Sequence, residues 1–193
     1  MSESTYRKNL RREMIVFLPD DYESVLEIGC GEGRFANNLK PGCNIWAIEQ
    51  DSHSAQIASI SIENVLNGLY DQVSHDLPNE YFDLVVCNDV IEHMENPIKF
   101  LLSIKEKMKP NSFLIGSIPN VRFYKNIFEL IIKKYWRYKE KLILDYTHIR
   151  FFTERIINRL VIMVLKLKVY SELIAQNVAI QYPQQSDGQL CSI

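Results

Sequence analysis

Residues Val25 to Arg34 read Val-Leu-Glu-Ile-Gly-Cys-Gly-Glu-Gly-Arg, a short apolar run that breaks into three alternating glycines, Gly29, Gly31 and Gly33. The run suits a buried strand, and the glycines let the following main chain take positive φ and let a ligand lie against bare backbone. The pattern predicts a strand, a ligand-cradling turn and then a helix that offers its first N–H groups to the ligand. The spacing is Gly-x-Gly-x-Gly, not the dinucleotide fingerprint or the Walker loop, and no lysine follows to meet a terminal phosphate. Glu27 stands two residues before the first glycine. Glu49 closes the next apolar run, Ile45 to Ile48, at the place where ribose-binding acids sit in doubly wound sheets.

Further short apolar runs recur at Asn64 to Asn67, Leu84 to Cys87 and Phe113 to Ser117. Helical patterns lie between them, the alternation of a doubly wound α/β sheet with helices on both faces. A leading helix is expected over Arg7 to Leu18, ending at Pro19. Asn96 and Pro97 mark a helix start by capping and by preset φ, with Ile98, Leu101, Leu102 and Met108 as its inner face. Thr153 is placed to begin a helix through about Leu165 with Ile156, Ile157, Leu160, Val161 and Val164 as its stripe. Two last strands are expected near Lys168 to Ile174 and Val178 to Tyr182, and a polar, frayed tail over Gln184 to Ile193.

With 193 residues, 47% of them hydrophobic and 24% charged, the chain is sized for one α/β domain over residues 1–193. A formal net charge of -2 argues against a nucleic-acid partner held by global charge. The cysteines Cys30, Cys43, Cys87 and Cys191 form no Cys-x-x-Cys pair, so no zinc site or disulfide framework is read, and reduced thiols in a cytoplasm are expected. Met1 to Arg12 lacks the apolar core of a signal peptide. Ile156 to Val169 carries Arg159, Lys166 and Lys168, so no membrane span is expected.

Val25 to Gly33, Ala47 to Asp51 and Phe82 to Pro97, in that order, resemble the class I S-adenosylmethionine-dependent methyltransferases. The resemblance implies a mostly parallel seven-stranded sheet with an antiparallel edge, S-adenosylmethionine as cofactor and S-adenosylhomocysteine as product. It implies that the Gly29-Cys30-Gly31 turn through Gly33 takes the methionine part. Glu49 would take the ribose, Gln50 would lie beside adenine, and the main chain near Asn88 would approach the amino-acid end. Relatives often carry an acid after the third strand that meets the adenine amino group, whereas this chain has Asn67-Gly68-Leu69-Tyr70-Asp71. Leu69 accepts no hydrogen bond, which leaves backbone groups, Asn67 or Asp71.

Asp89-Val-Ile-Glu-His93 follows the fourth strand, where the methyl group would be exposed. An acceptor hydroxyl must lose its proton, and a histidine suits that at neutral pH, so His93 is read as a candidate base with Asp89 orienting it or sharing the proton. Structural anchoring of the next helix by Glu92 and His93 is the competing reading. Asp-x-x-Glu-His also resembles a divalent-ion stretch of some quinone-pathway O-methyltransferases; no metal is assigned.

Ser117-Ile-Pro-Asn-Val-Arg122, Tyr135 to Tyr138 and Leu144 to Thr153 resemble segments of methyltransferases of O-antigen and other surface-glycan pathways. That resemblance implies O-methylation of a saccharide or related small acceptor, with residues 121–149 as an acceptor-side insert. Asn120, Arg122 and Asp145 are candidate acceptor contacts, and His148 is a second base candidate fixed by Asp145. Tyr124, Phe128, Ile131 and Tyr135 fall at helical spacing and are read as a core stripe. Between Lys125 and Lys141 basic residues outnumber acidic ones, which would suit an anionic acceptor or a membrane-borne one, or a solvated helix face. A quinone-type acceptor and a protein that binds S-adenosylmethionine without turnover remain open. The amino-group-methylating Asn/Asp-Pro-Pro-Tyr/Phe signature is absent, which argues against a nucleic-acid methyltransferase.

Overall fold

Strand β1 (Ser24–Ile28) is buried at every residue, the position its unbroken apolar run requires, because parallel strands are covered on both faces. In the computed structural model, which describes residues 10–136, 138, 143–165, 170–174 and 177–183, β1 lies between β2 (Asn44–Glu49) and β4 (Phe82–Asn88), parallel to both. Helix α1 (Ser52–Ala58) leads from β2 to β3 (Asn64–Asn67), and the one-turn helix α2 (Tyr70–Val73) follows β3. Helix α3 (Pro97–Lys107) connects β4 to β5 (Met108–Pro119), and α4 (Tyr124–Ile131), α5 (Glu154–Leu165), β6 (Tyr170–Ile174) and β7 (Asn177–Pro183) complete the described chain. The seven strands run in the order β3-β2-β1-β4-β5-β7-β6, with β7 antiparallel to both β5 and β6. Both terminal strands thus appear close to where the sequence puts them. The expected tail, Gln184 to Ile193, lies outside the described residues, as do Met1 to Asn9 and Cys191.

Side chains alternate between two cores, as a strand's period of two demands. Leu26, Ile28, Val85, Cys87, Leu114 and Ile118 face the layer that holds α3 and α5. Val25, Leu84, Val86 and Ile115 face Met14, Phe17 and Phe35 on the other side. Only a 3₁₀ turn, Arg12–Phe17, forms where the sequence predicts a leading helix, within the part of that segment that is described. The helix expected after the glycine turn is also a short 3₁₀ element, Arg34–Asn38.

Asn96 caps α3 as expected, its Oδ1 accepting from Lys99 N at 3.0 Å. The inner face differs from the expected one: Phe100, Leu101, Ile104 and Lys107 are buried, while Ile98 and Leu102 are exposed. Phe100 meets Tyr70 edge to face at 4.9 Å between ring centres, and the buried Lys107 Nζ donates to Leu77 O and Asn79 Oδ1. A ring contact and two hydrogen bonds thus set the rotation of a helix whose apolar residues permit more than one facing. Thr153 O accepts from Ile156 N and Ile157 N at the start of α5, where Ile157 is buried and Ile156 is not.

Gly116, opposite Cys87 in the β4–β5 ladder, is required by close packing: a Cβ there would stand 2.4 Å from Cys87 O. That oxygen belongs to the central ladder and has no room to retreat. Gly116→Ala is expected to cost about 2–3 kcal/mol, as for overpacking a rigid core, read as a lower urea midpoint with an unchanged slope.

Candidate active site

The carboxyl ends of β1, β2 and β4 meet beside the point where the sheet order turns from β2-β1 to β4, the place where open α/β sheets bind ligands. The turn after β1 has Gly29, Gly31 and Gly33 at φ 71°, 55° and 73°, as their spacing predicts. A Cβ on Gly29 would come within 2.8 Å of Val90 Cγ2, so this crest of backbone has to be bare. Gly29 N and Cys30 N both donate to Ile48 O, and Gly33 N to Cys30 O. These amides stabilise the turn itself, so a ligand meets it mainly through shape. Cys30 is buried and packs with Ala47, Ala58 and Ile62 beneath the turn, so the cofactor contact expected of it is restricted to main chain.

Glu49 is buried at the end of β2, with Oε2 accepting from Gly31 N and Oε1 from Asp51 N, each at 2.8 Å. One carboxylate therefore ties the glycine turn to the end of the next strand. Each oxygen keeps a second lone pair, enough for a vicinal diol. Asp51 Oδ2 caps α1 through Ser54 N, and Gln50 is exposed at the tip between them. Asn67 is committed to structure, its Nδ2 donating to Glu49 O and Gln50 O and its Oδ1 accepting from Ser52 Oγ. Asp71 lies 3.7 Å from Lys99 Nζ, and Leu69 is exposed. Asn67 Oδ1 keeps one lone pair beyond the bond from Ser52, and Asp71 is the other side-chain acceptor near the end of β3.

Glu27 is 4% exposed and its Oε2 has no hydrogen-bond partner within the protein. Burial first, and the charge of Glu49 second, push its carboxyl up to about 8. The side-chain amide of Asn88 at the end of β4 is likewise buried and unpartnered at both atoms. Buried polar groups with no partner inside the protein call for one from outside it, a water, an ion or a ligand. The bare Gly29 crest, the spare lone pairs of Glu49 and the orphaned Glu27 and Asn88 suit a ligand with a ribose and a cationic amino-acid end.

A scan against family models matches residues 3–161 to a methyltransferase domain. The chain belongs to this methyltransferase domain family. The methyltransferase fold agrees with solved structures: an S-adenosylmethionine-dependent methyltransferase from Archaeoglobus fulgidus has 18% identity and a TM-score of 0.68, covering 94% of each chain. A second, titled a possible histamine N-methyltransferase from Thermotoga maritima, has 22% identity and a TM-score of 0.67, covering 93% of this chain and 89% of its own. Among curated relatives, the mitochondrial ubiquinone biosynthesis O-methyltransferase of Schizosaccharomyces pombe is 34% identical over 103 residues, 49% of this chain and 37% of its own length. The ubiquinone biosynthesis O-methyltransferase of Rickettsia typhi is 30% identical over 118 residues, 58% of this chain and 47% of its own. The methyltransferase domain thus matches less than half the length of these relatives. S-adenosylmethionine is the cofactor that fold and family imply, and the residues at the strand ends fit it.

Past β4 the methyltransferase domain departs from its sequence reading. Asp89, at φ 54°, is bound by the Arg11 guanidinium, which also donates to Ser117 Oγ at 2.6 Å. Ser117 Oγ donates to Asp89 Oδ1 at 2.7 Å. Asp89 therefore anchors the leading segment, and it acts on His93 through its charge, which raises that imidazole. Arg11 is 8% exposed and carries no site signal in sequence, where it is one of several polar residues on the expected leading helix. No local pattern announces a partner 78 positions away.

His93 is oriented instead by Thr147 O, 3.0 Å from its Nδ1, and His148 by Ile143 O, 3.1 Å from its Nδ1. A carbonyl only accepts, so each Nδ1 carries a proton, which leaves Nε2 as the nitrogen that a neutral ring uses to accept one. The two rings meet edge to face at 4.8 Å. Desolvation, followed by His148, holds His93 below the usual imidazole range against the raising effect of the Thr147 carbonyl. Glu92, 1% exposed, has no hydrogen bond to either carboxyl oxygen, and its Oε1 lies 3.9 Å from His148 Nε2. Burial, then Asp89, raises Glu92 well above the ordinary carboxylate range. Glu92, His93 and His148 each offer one ligand atom, all within 4.8 Å of one another. One carboxylate and two imidazoles suit a divalent transition metal, a set that differs from the Asp89-Glu92-His93 stretch by taking His148 for Asp89.

The 145–150 segment is stitched to the turn after β4: Ile149 N and Arg150 N donate to Glu92 O, and Arg150 Nη2 to Glu95 O. Asp145 Oδ1 accepts from Thr147 N and Thr147 Oγ1. It shapes the turn that presents His148 rather than touching that ring. Asn120 Oδ1 accepts from Arg122 N, closing the turn after β5, while Arg122 itself is exposed.

The state of Glu27 gives a measurable signature. Its folded value near 8 against an ordinary 4.5 means that the folded protein keeps a proton the unfolded chain releases, so this group's contribution to stability falls as pH rises from about 4.5 through 8. A cationic ligand beside it reverses the preference. At pH 7, S-adenosylmethionine binding is expected to release up to about one proton, seen by calorimetry in buffers of different ionisation enthalpy and removed by Glu27→Gln.

Proposed function

We propose that this chain transfers a methyl group from S-adenosylmethionine to a hydroxyl oxygen of a small acceptor, with His93 taking the hydroxyl proton. The observation that carries this reading is the pair of facing rings, His93 and His148, each held at Nδ1 by a carbonyl and set against buried Glu92, just past the end of β4. S-adenosylmethionine supplies an electrophilic methyl on sulfonium sulfur: the acceptor oxygen forms the new C–O bond, the C–S bond breaks, and S-adenosylhomocysteine leaves. Glu27 and Asn88 hold the cofactor's amino-acid end, and Glu49 its ribose. Position is the main demand of such a displacement, and well-aligned groups reach effective molarities of about 10⁵ to 10⁸ M.

A phenolic acceptor is favoured, since the curated relatives are named ubiquinone biosynthesis O-methyltransferases. A saccharide acceptor is the second reading, favoured by the aromatic group Trp136, Tyr138, Tyr146 and Phe151, whose rings meet at 5.7 to 6.1 Å and offer a sugar face something to stack on. A divalent ion held by Glu92, His93 and His148 would lower the hydroxyl pKa in place of a protein base. Labelled S-adenosylmethionine offered with prenylated catechols and with nucleotide-sugars separates the readings: label in the catechol ether supports the first, label in the sugar the second. Tight cofactor binding with no labelled product from any hydroxyl acceptor overturns both and leaves a binding protein. Loss of turnover on chelation, restored by one divalent ion, assigns the cluster to metal.

A further inference from the structure

Helix α4 is built the wrong way round for a helix packed on a core. Tyr124, Phe128, Ile131 and Tyr135, which sequence periodicity assigns to the interior, are 67%, 53%, 63% and 54% exposed. The residue α4 buries is Asn126, whose Nδ2 finds no partner. Ile127, Leu130 and Ile132 widen the outward apolar ridge. So many large apolar side chains exposed along one short segment mark an interaction face, since soluble proteins keep such groupings small.

The ridge is edged by cations. Arg122, Lys125, Lys133 and Lys134 are exposed along it, against the single acid Glu129, which lies 3.9 Å from Lys133. Lys125 Nζ reaches over the Tyr124 ring and Lys133 Nζ over the Phe128 ring, at 5.8 and 6.0 Å. Among the described residues no helix is long and apolar enough to cross a membrane. An outward face of aromatic and branched aliphatic side chains bordered by lysines instead fits a helix lying in the bilayer interface, with rings and aliphatics among acyl chains and ammonium groups at anionic headgroups.

We propose that α4 and the turn through Trp136 dock this chain on an anionic lipid surface. The helix begins just after Asn120, at the carboxyl end of β5, on the same side of the sheet as the candidate site. Docking there holds the acceptor side of the site against the bilayer, where a lipid-linked acceptor would be met. The proposal stands apart from the acceptor reading, and its readout is binding, not turnover.

The test is co-sedimentation of the full chain with vesicles of phosphatidylcholine alone and with roughly a third phosphatidylglycerol. Anionic vesicles are expected to bind at least about tenfold more protein, with the preference shrinking as salt rises. The double change Phe128→Ser, Ile131→Ser is expected to abolish binding to both, and Lys133→Glu with Lys134→Glu to remove only the anionic preference. Ile60→Ser, at an 85% exposed position outside α4, is expected to leave binding unchanged. Cofactor affinity serves as the folding control for each variant. No sedimentation with either vesicle, or binding indifferent to the α4 substitutions, overturns the proposal. So does a concentration-dependent dimer that the same double change dissolves, which assigns the face to a second copy of the chain.

Discussion

Replacing Glu49 by alanine is expected to weaken S-adenosylmethionine binding by about a hundredfold to ten-thousandfold. The carboxylate is buried, already orders Gly31 N and Asp51 N, and keeps one lone pair on each oxygen for the ribose hydroxyls. Each bond to a charged acceptor contributes about 1.5–3 kcal/mol, and two ribose bonds therefore about 3–6 kcal/mol, at about 1.4 kcal/mol per factor of ten. Loss of the two backbone contacts acts in the same direction by loosening the turn. Glu49→Gln should fall between, since an amide retains one accepting oxygen and loses the charge. Calorimetry on a variant with native circular dichroism decides the matter: an affinity within a few fold of the unaltered chain removes Glu49 from the cofactor site.

His93→Ala is expected to reduce turnover by about 10² to 10⁴, the usual contribution of a general base, while cofactor affinity stays as it was. The pH profile gives the sharper test. Only the neutral imidazole accepts a proton, and His93 titrates below the ordinary imidazole value because it is desolvated and faces His148. Activity should therefore rise with pH through an acidic limb set below that ordinary value and be level by neutral pH. His93→Ala should remove the limb as well as the rate. A variant that keeps a third or more of the activity, or keeps the limb, leaves the proton with another group.

The parts of this molecule legible in sequence are those set by local rules. Glycines spaced two apart after an apolar run declared a backbone turn at positive φ, and the three residues adopt it. Asn96 followed by Pro97 announced a helix start through capping and fixed φ, and the bond to Lys99 N is present. Asn64–Asn67 is recovered with its ends, since a short apolar run between helical patterns leaves few choices. Even the antiparallel edge appears, through resemblance to a family more than through propensity.

The misreadings share one cause. Periodicity reveals that a helix has an apolar stripe but not what the stripe faces. In α3 the bonds of Lys107 and the Tyr70–Phe100 contact chose a neighbouring face. In α4 the stripe faces outward altogether. Asp145 lies close enough to His148 in sequence to suggest a pair, yet a two-residue turn through Thr147 satisfies the carboxylate first.

Sequence alone determined the strand-to-glycine turn, the carboxylate that ends the next strand, the capped helix after β4 and the α/β alternation. The turn and the cap depend on residues within a few positions of one another, where backbone geometry and side-chain reach leave little freedom, and the carboxylate and the alternation on the regular spacing of strand and helix patterns. Tertiary structure decided that Arg11 grips Asp89 and Ser117, that His148 joins His93 over Glu92, and which side of α4 meets the protein. Those pairings span tens of residues and depend on how two packed layers close on one sheet, which no local preference encodes.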